Sequence, residues 1–135
     1  MSQKQASIDR NALVQAARKV RELAYAPYSK YKVGAALLAE DGTVFTGCNV
    51  ENAVYPAGIC AERVAVTKAI SEGHQKFVAI AVATKDGGSP CGICRQVMSE
   101  FAPHMPVILA SPEAITAEFT LDQLLPERFG PGNLT

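Results

Sequence analysis

The sequence predicts an α/β fold, a single three-layer domain in which a mixed β-sheet is flanked by helices. First, the chain has 135 residues, the length of one ordinary domain. Second, 48% of the residues are hydrophobic and 19% are charged, a composition that excludes disorder for most of the chain. Third, helix-like and strand-like segments alternate, as in a sheet layered with helices. We therefore expect one domain over residues 1–135, with loose ends at 1–7 and 130–135.

The first part of the chain predicts an amphipathic helix over residues 9–25. Apolar side chains recur there at helical spacing, namely at Leu13, Ala16, Ala17, Val20, Leu23 and Ala24. Pro27 ends this helix. Two strand-like runs follow, at 33–39 and 43–49, and the Asp41-Gly42 pair between them predicts a β-hairpin.

The rest of the chain predicts two helices that each begin at a cysteine, with buried strands between and after them. Gly73 takes the position of a helix C-cap at the end of the first of these helices. Thr120 is expected to cap a last short helix. In chain order the segments are a helix at 60–72, a strand at 77–84, a helix at 91–101, strands at 106–110 and 115–119, and a helix at 121–125.

The charge balance and hydropathy exclude several classes of partner. Thirteen Lys and Arg residues balance thirteen Asp and Glu residues, so the formal net charge is zero. A protein that binds duplex nucleic acid normally carries a basic excess. No apolar run approaches the roughly 20 residues of a membrane-spanning helix, and residues 1–10 are too polar for a signal peptide. We therefore expect a cytoplasmic protein with no nucleic acid and no membrane as partner.

Two short segments, Cys60-Ala61-Glu62 and Pro90-Cys91-Gly92-Ile93-Cys94, carry the chemical signal. Each begins a predicted helix. A helix N-terminus carries partial positive charge, which favours the metal-binding thiolate form of cysteine. Three converging thiolates and a water make an open catalytic zinc site. Glu62 is then expected beside the metal as the acid and base rather than as a ligand.

Simpler interpretations of the same residues remain open at this point. A bare C-x-x-C pair is also typical of a redox pair or of two core residues. A lone glutamate such as Glu62 is usually a solvated charge on a helix face. Cys48 is expected in the core, but as a fourth ligand it would make the site a structural zinc module without enzymatic activity.

The cysteine and glutamate pattern resembles the all-cysteine variant of the zinc deaminase signature. Further motifs resemble the small homotetrameric cytidine deaminases over about residues 8–130. In chain order they are 26–31 (APYSKY), 33–36 (VGAA), 47–52 (GCNVEN), 60–63 (CAER), 90–96 (PCGICRQ) and 124–126 (LLP), with Phe129 shortly after the last.

The resemblance implies a role for each residue of the metal centre. Cys60, Cys91 and Cys94 would hold one zinc ion per subunit, and Glu62 would carry protons during catalysis. Arg63 would neutralise part of the negative charge of the thiolate cluster.

The resemblance also implies a nucleoside pocket. Asn49 and Glu51 would bind the ribose hydroxyl groups, and the backbone amide of Ala61 would face the carbonyl oxygen of the base. Phe129 would stack on the pyrimidine. Tyr31 lies near the base or sugar, where the family usually has an aromatic residue, often phenylalanine.

The resemblance also implies a homotetramer, and in this family the stretch that contains Tyr55 reaches a neighbouring subunit's site. The implied reaction is the hydrolytic deamination of cytidine and deoxycytidine, a step of pyrimidine salvage. Within this fold the alternatives are deamination of another aminated heterocycle, disfavoured by Glu51, and editing of a polynucleotide, disfavoured by the zero net charge.

Overall fold

A five-stranded sheet forms the centre of the molecule in the computed structural model, which describes residues 6–135. Its strands are β1 (Gly34–Ala39), β2 (Val44–Cys48), β3 (Phe77–Ala83), β4 (Pro106–Ala110) and β5 (Ile115–Thr120). The helices of this part of the chain are α1 (Arg10–Arg21), α2 (Ala61–Ser71), α3 (Gly92–Phe101) and α4 (Leu121–Leu124). Single 3-10 turns occur at Tyr55–Ala57 and Pro131–Leu134.

The strand directions place two helix starts at the same edge of the sheet. The strand order is β2-β1-β3-β4-β5. β1 pairs antiparallel with both β2 and β3, and β3 pairs parallel with β4. β2 and β3 therefore run in the same direction, so α2, which follows β2, and α3, which follows β3, both begin at the carboxyl edge of these strands.

The two faces of the sheet bury separate apolar clusters. On one face, α1 packs through Leu13, Val14 and Ala17 against the strands. On the other face, α2, α3 and α4 contribute to a larger cluster that includes Val66, Met98 and Leu121. Helices on both sides of a mixed sheet make three layers, and the predicted fold class is confirmed.

Glycines in the first two strands allow close helix packing. A Cβ atom added at Gly34 would lie 2.0 Å from the carbonyl oxygen of Ala17 in α1. A Cβ atom added at Gly47 would lie 2.5 Å from the carbonyl oxygen of Ala61 in α2. Because no side chain separates β2 from the first turn of α2, that turn is held directly against the sheet.

The first helix is shorter than predicted. It begins after Asp9, whose side chain caps it, but it ends at Arg21 instead of continuing to residue 25. Tyr25 instead pairs with Val50 in an isolated parallel bridge, which requires extended backbone there. Leu23, assigned to the apolar face, is 76% exposed. A tertiary pairing therefore overrides the local helical pattern at its last turn.

The other predicted elements are confirmed with shifts of one residue or a few at their ends. The Asp41-Gly42 turn joins β1 and β2, and Gly42 has a φ of +94°, which favours glycine. Thr120 is the N-cap residue of α4, although the hydrogen bond runs from its backbone N–H to Gln123 Oε1. Of the two predicted loose ends, residues 1–5 lie outside the described residues.

Gly47→Ala is expected to lower the free energy of unfolding by about 1–3 kcal/mol, the usual cost of overpacking. The added methyl group meets backbone of α2, which cannot yield as a side chain does. Urea denaturation measures the change. Gly132→Ala is the matched control, because no atom lies within 4 Å of its added Cβ. Equal stabilities of the two variants would contradict the close packing of β2 on α2.

Candidate metal centre and substrate pocket

Three cysteine thiols meet where α2 and α3 begin. Cys60 and Cys91 are the N-cap residues of these helices, and Cys94 follows in the first turn of α3. The Sγ atom of Cys91 lies 3.9 Å from that of Cys60 and 3.5 Å from that of Cys94. All three Sγ atoms lie within 4.8 Å of one another. The predicted convergence of these thiols is confirmed.

The donor set fits a zinc ion. Sulfur atoms bound tetrahedrally to zinc at about 2.3 Å lie about 3.8 Å apart, close to the distances between Cys91 and the other two thiols. Within residues 6–135, no fourth His, Cys, Asp or Glu side chain joins this cluster. Cys48 is half-buried at the end of β2 and stands apart from it. Three protein ligands leave one position open for a reactant, as in catalytic zinc sites.

The surroundings of Cys60 favour its thiolate form. The neighbouring Cys94 thiol, followed by the hydrogen bond from the Arg63 guanidinium, lowers the pKa of Cys60 to about 5. The neighbouring Cys60 sulfur, followed by burial, raises the pKa of Cys94. A coordinated divalent metal deprotonates such thiols outright. Neither helix start has a side-chain cap, so the first-turn N–H groups add partial positive charge.

Arg63 lies beside the thiols and is not a solvated charge on the helix face. Its Nη2 donates to Cys60 Sγ at 3.4 Å, and this hydrogen bond is the main reason that the pKa of Arg63 is raised. Its Nε is buried without a hydrogen-bond partner among the described residues. The guanidinium charge opposes the net negative charge that three thiolates would leave around one divalent ion.

The carboxyl group of Glu62 is buried next to this cluster. The residue is 4% exposed and lies in the first turn of α2, two positions after Cys60. Burial, followed by the negative charge of Cys60, raises the pKa of Glu62 to about 7. A carboxyl group with a pKa near neutrality can both accept and release a proton, as general acid–base catalysis requires.

A cavity of about 300 Å³ opens beside the thiols. Small-molecule sites start at about this volume. Residues of the segment before β1, of the loop before α3 and of the start of α2 line it. Six of the residues singled out from the sequence line this cavity, namely Tyr31, Asn49, Glu51, Cys60, Glu62 and Cys91.

Asn49 fixes one wall of the cavity. Its Nδ2 donates to the carbonyl oxygen of Tyr31 at 2.8 Å, and its Oδ1 accepts from the N–H of Val33 at 2.9 Å. The side chain therefore holds the segment that leads into β1. The Tyr31 hydroxyl group reaches across to Asp86 and donates to Oδ1 at 2.7 Å.

Glu51 is held in place as a charged group at the same wall. Its Oε1 accepts from the backbone N–H groups of Tyr28 and Ser29 at 2.9 and 3.1 Å. The Ser29 hydroxyl group donates to Oε2. These hydrogen bonds lower the pKa of Glu51, and the bond from the Ser29 hydroxyl group has the largest effect. The carboxylate is oriented before any ligand arrives.

Residues 7–110 match the family model described as the cytidine and deoxycytidylate deaminase zinc-binding region. The chain belongs to this family. Among its relatives are cytidine deaminases of Sporosarcina psychrophila and Halalkalibacterium halodurans, 48% and 49% identical over 131 and 125 residues. These alignments cover 95% and 90% of this chain and 96% and 95% of the relatives.

Solved structures of cytidine deaminases share the deaminase fold of this chain. The protein from Burkholderia pseudomallei superposes with a TM-score of 0.86 at 46% identity, covering 90% of this chain and 100% of its own. The protein from Mycobacterium tuberculosis superposes with a TM-score of 0.80 at 39% identity, covering 92% and 99%. The resemblance inferred from the motifs is confirmed, and with it a zinc-binding deaminase domain and an enzyme.

Five of the residues predicted for the deaminase site do not line this cavity in the single chain. Two of them, Cys94 and Arg63, belong to the thiol cluster and its surroundings. Ala61 is fully buried at the first position of α2. Tyr55 is 76% exposed and lines a neighbouring cavity of about 380 Å³, to which Ser29 and Glu51 also contribute. Phe129 is 59% exposed.

Sequence reasoning missed three polar side chains that support the deaminase site. Ser29 orients Glu51, and its only sequence signal was its place in the 26–31 motif. Asp86 accepts from Tyr31, a pairing without any local signal because 55 residues separate the two. Arg95 follows Cys94 directly, yet none of its hydrogen bonds goes to a thiol. It donates to Pro90 O, Leu124 O and Ser89 Oγ and so braces the turn before Cys91.

Cys60→Ser is expected to weaken zinc binding at least about 100-fold, beyond the effect of losing a supporting contact. The fold should survive, because serine is a favourable N-cap residue. Metal analysis after dialysis against a chelator measures the loss. Cys48→Ser, at a cysteine outside the cluster, is the control and should keep its zinc. Equal zinc content in both variants would contradict the assigned ligand set.

Proposed function

We propose that this chain catalyses the hydrolytic deamination of cytidine and deoxycytidine to uridine and deoxyuridine, with release of ammonia. One observation carries the proposal: a buried carboxyl group, Glu62, lies with two of three clustered thiols at the wall of one cavity. The relatives named cytidine deaminase, similar over nearly their whole length, support the same substrate class.

In this proposal Cys60, Cys91 and Cys94 hold one zinc ion, and Arg63 offsets part of the thiolate charge through its contact with Cys60. When bound, zinc lowers the pKa of a water molecule towards neutrality and so provides the nucleophile. The three-thiolate set without a fourth protein ligand supports this use, since structural zinc sites are normally closed by four ligands.

Glu62 moves the protons. It takes a proton from the attacking water and passes it to ring nitrogen N3, which makes the carbon that bears the amino group electrophilic. After the water oxygen has bonded to this carbon, Glu62 delivers the second water proton to the amino group, which leaves as ammonia. A group that acts in both directions needs a pKa near the working pH, and burial provides it for Glu62.

Asn49 and Glu51 bind the ribose hydroxyl groups in this proposal. Their fixed orientation supports it, because polar groups that are held before binding lose little entropy when the ligand arrives. Tyr31 contributes an aromatic wall near the base or sugar. The backbone amide of Ala61, at the uncapped start of α2, would donate to the carbonyl oxygen of the base.

We also propose a homotetramer in which Phe129 and Tyr55 reach the sites of neighbouring subunits. Both aromatic side chains are mostly exposed in the single chain, and Tyr55 borders a cavity next to the nucleoside pocket. Tyr28, Val50 and Val54 are also exposed, and the ring centroid of Tyr28 lies 6.1 Å from that of Tyr55. Large exposed apolar side chains that lie side by side are typical of subunit contacts.

The same proposal places the enzyme in the cytoplasm, in pyrimidine salvage. The site depends on three reduced thiols, and a reducing compartment keeps thiols free. Within the described residues no helix is long and apolar enough to cross a membrane.

Glu62→Gln is expected to keep zinc and fold but to lower cytidine turnover by about 10²–10⁴-fold or more, the range for general acid–base catalysis. Glutamine is nearly isosteric but takes no proton from water. A spectrophotometric assay on cytidine, deoxycytidine, cytosine and adenosine measures activity and substrate class together. Glu72→Gln, at the exposed C-cap of the same helix, is the control. Turnover by Glu62→Gln within about tenfold of wild type would refute its assigned role, judged against that range.

Light scattering of the purified protein is expected to give four times the 14.3 kDa chain mass. Tyr55→Ala should shift the mass towards smaller species and lower activity in parallel, because an exposed aromatic anchor and its site contact are lost together. A fully active monomer would rule out the shared-site arrangement.

A further inference from the structure

The loop between β3 and α3 receives the hydroxyl group of Tyr31. Asp86 Oδ1 accepts from this hydroxyl group at 2.7 Å. The same oxygen accepts from Thr84 Oγ1 and from the backbone N–H of Gly88, each at 3.2 Å. The Tyr31 hydroxyl group, the Thr84 hydroxyl group and the Gly88 N–H therefore all donate to one carboxylate oxygen. They hold it in place although Asp86 itself is exposed.

The backbone of this loop is shaped around the hydroxyl group. A Cβ atom added at Gly88 would lie 2.5 Å from the Tyr31 hydroxyl oxygen, so a larger residue at this position would displace the hydroxyl group. Gly87 has a φ of +76°, a conformation that also favours glycine. Thr84 is buried and its N–H donates to Ala110 O at 3.0 Å, which anchors the loop to the end of β4.

Tyr31 belongs to a wall that is held from several sides. Asn49 binds the backbone on either side of residue 32, and the Tyr31 N–H donates to Ser29 Oγ at 3.0 Å. Lys30 has a φ of +61°, which is costly for a residue other than glycine. Such strain persists only where the surrounding contacts fix the chain. Among these contacts, the Tyr31 hydroxyl group is the one that crosses to the loop leading into Cys91.

We propose that Asp86 is a positioning residue of this site. Through the Tyr31 hydroxyl group it holds the wall that carries Asn49 and Glu51 against the loop before Cys91, and so fixes the width of the pocket for the nucleoside. The proposal rests on the proposed function, because it assigns the width to nucleoside binding.

The hydrogen bonds of this contact include neither Glu62 nor a thiol, so its loss should affect binding more than chemistry. A wider pocket weakens contacts made equally with substrate and transition state, which raises KM and leaves kcat nearly unchanged. Tyr31→Phe and Asp86→Ala are each expected to raise the KM for cytidine about 3- to 10-fold, the effect of one ordinary hydrogen bond. The double variant should be no worse than Asp86→Ala alone, because Asp86→Ala already removes the one contact that Tyr31→Phe removes.

A rescue experiment separates positioning from a general loss of structure. Gly88→Ala should raise KM further than Tyr31→Phe, because its methyl group displaces the hydroxyl group and the wall behind it. Adding Tyr31→Phe to Gly88→Ala should lower KM again, since the obstructing oxygen is gone. Tyr25→Phe is the matched control, because the Tyr25 hydroxyl group makes no hydrogen bond within residues 6–135 and the side chain is 56% exposed.

The unfolding midpoints of the same variants are measured without substrate. Three results would each overturn the positioning role: additive effects of Tyr31→Phe and Asp86→Ala on KM, no rescue of Gly88→Ala by Tyr31→Phe, or a fall in kcat with unchanged KM. The proposed function would still stand in these cases, provided that the wild type turns over cytidine. A wild type that does not turn over cytidine would overturn the proposed function, and with it the assignment of pocket width to nucleoside binding. The contact itself would then be judged from the unfolding midpoints, in which the double variant should be no less stable than Asp86→Ala alone.

Discussion

The site depends on two strands of the sheet running in the same direction. β2 and β3 run the same way because each is antiparallel to β1, which lies between them. The helices that follow these strands therefore begin at one edge and on one face, although 31 residues separate Cys60 from Cys91. Gly47 lets the first turn of α2 lie against the sheet, so the distance between the two helix starts is set by backbone packing.

Four groups that can carry negative charge meet at this edge, and their surroundings determine which of them hold a proton. Three thiols and the carboxyl group of Glu62 share a small volume, into which Arg63 brings the guanidinium that contacts a thiol. Burial and the neighbouring thiolate hold the proton on Glu62 more firmly than water would. The same crowding that favours a divalent cation therefore also prepares a proton donor and acceptor next to it.

The sequence predicts those features whose causes are local in the chain. A hairpin at Asp41-Gly42, the helix starts at the cysteines and the alternation of elements all follow from short-range conformational preferences. The prediction that α1 continues to residue 25 was wrong, because the pairing of Tyr25 with Val50 requires extended backbone there. The contact of Tyr31 with Asp86 has no local signal, since it forms only when the fold brings two distant loops together.

The cysteines at the two helix starts have a cost for the fold. Ser, Asp and Asn are the favourable residues at such positions, and each contributes about 1 kcal/mol relative to an uncapped start. Neither Cys60 nor Cys91 makes a capping hydrogen bond. A stability-guided redesign that scored the metal-free fold would therefore replace these two residues first and lose the metal site by doing so. Sites of this kind exemplify the trade-off between stability and activity, and protein engineers should exclude both positions from any search for thermostable variants.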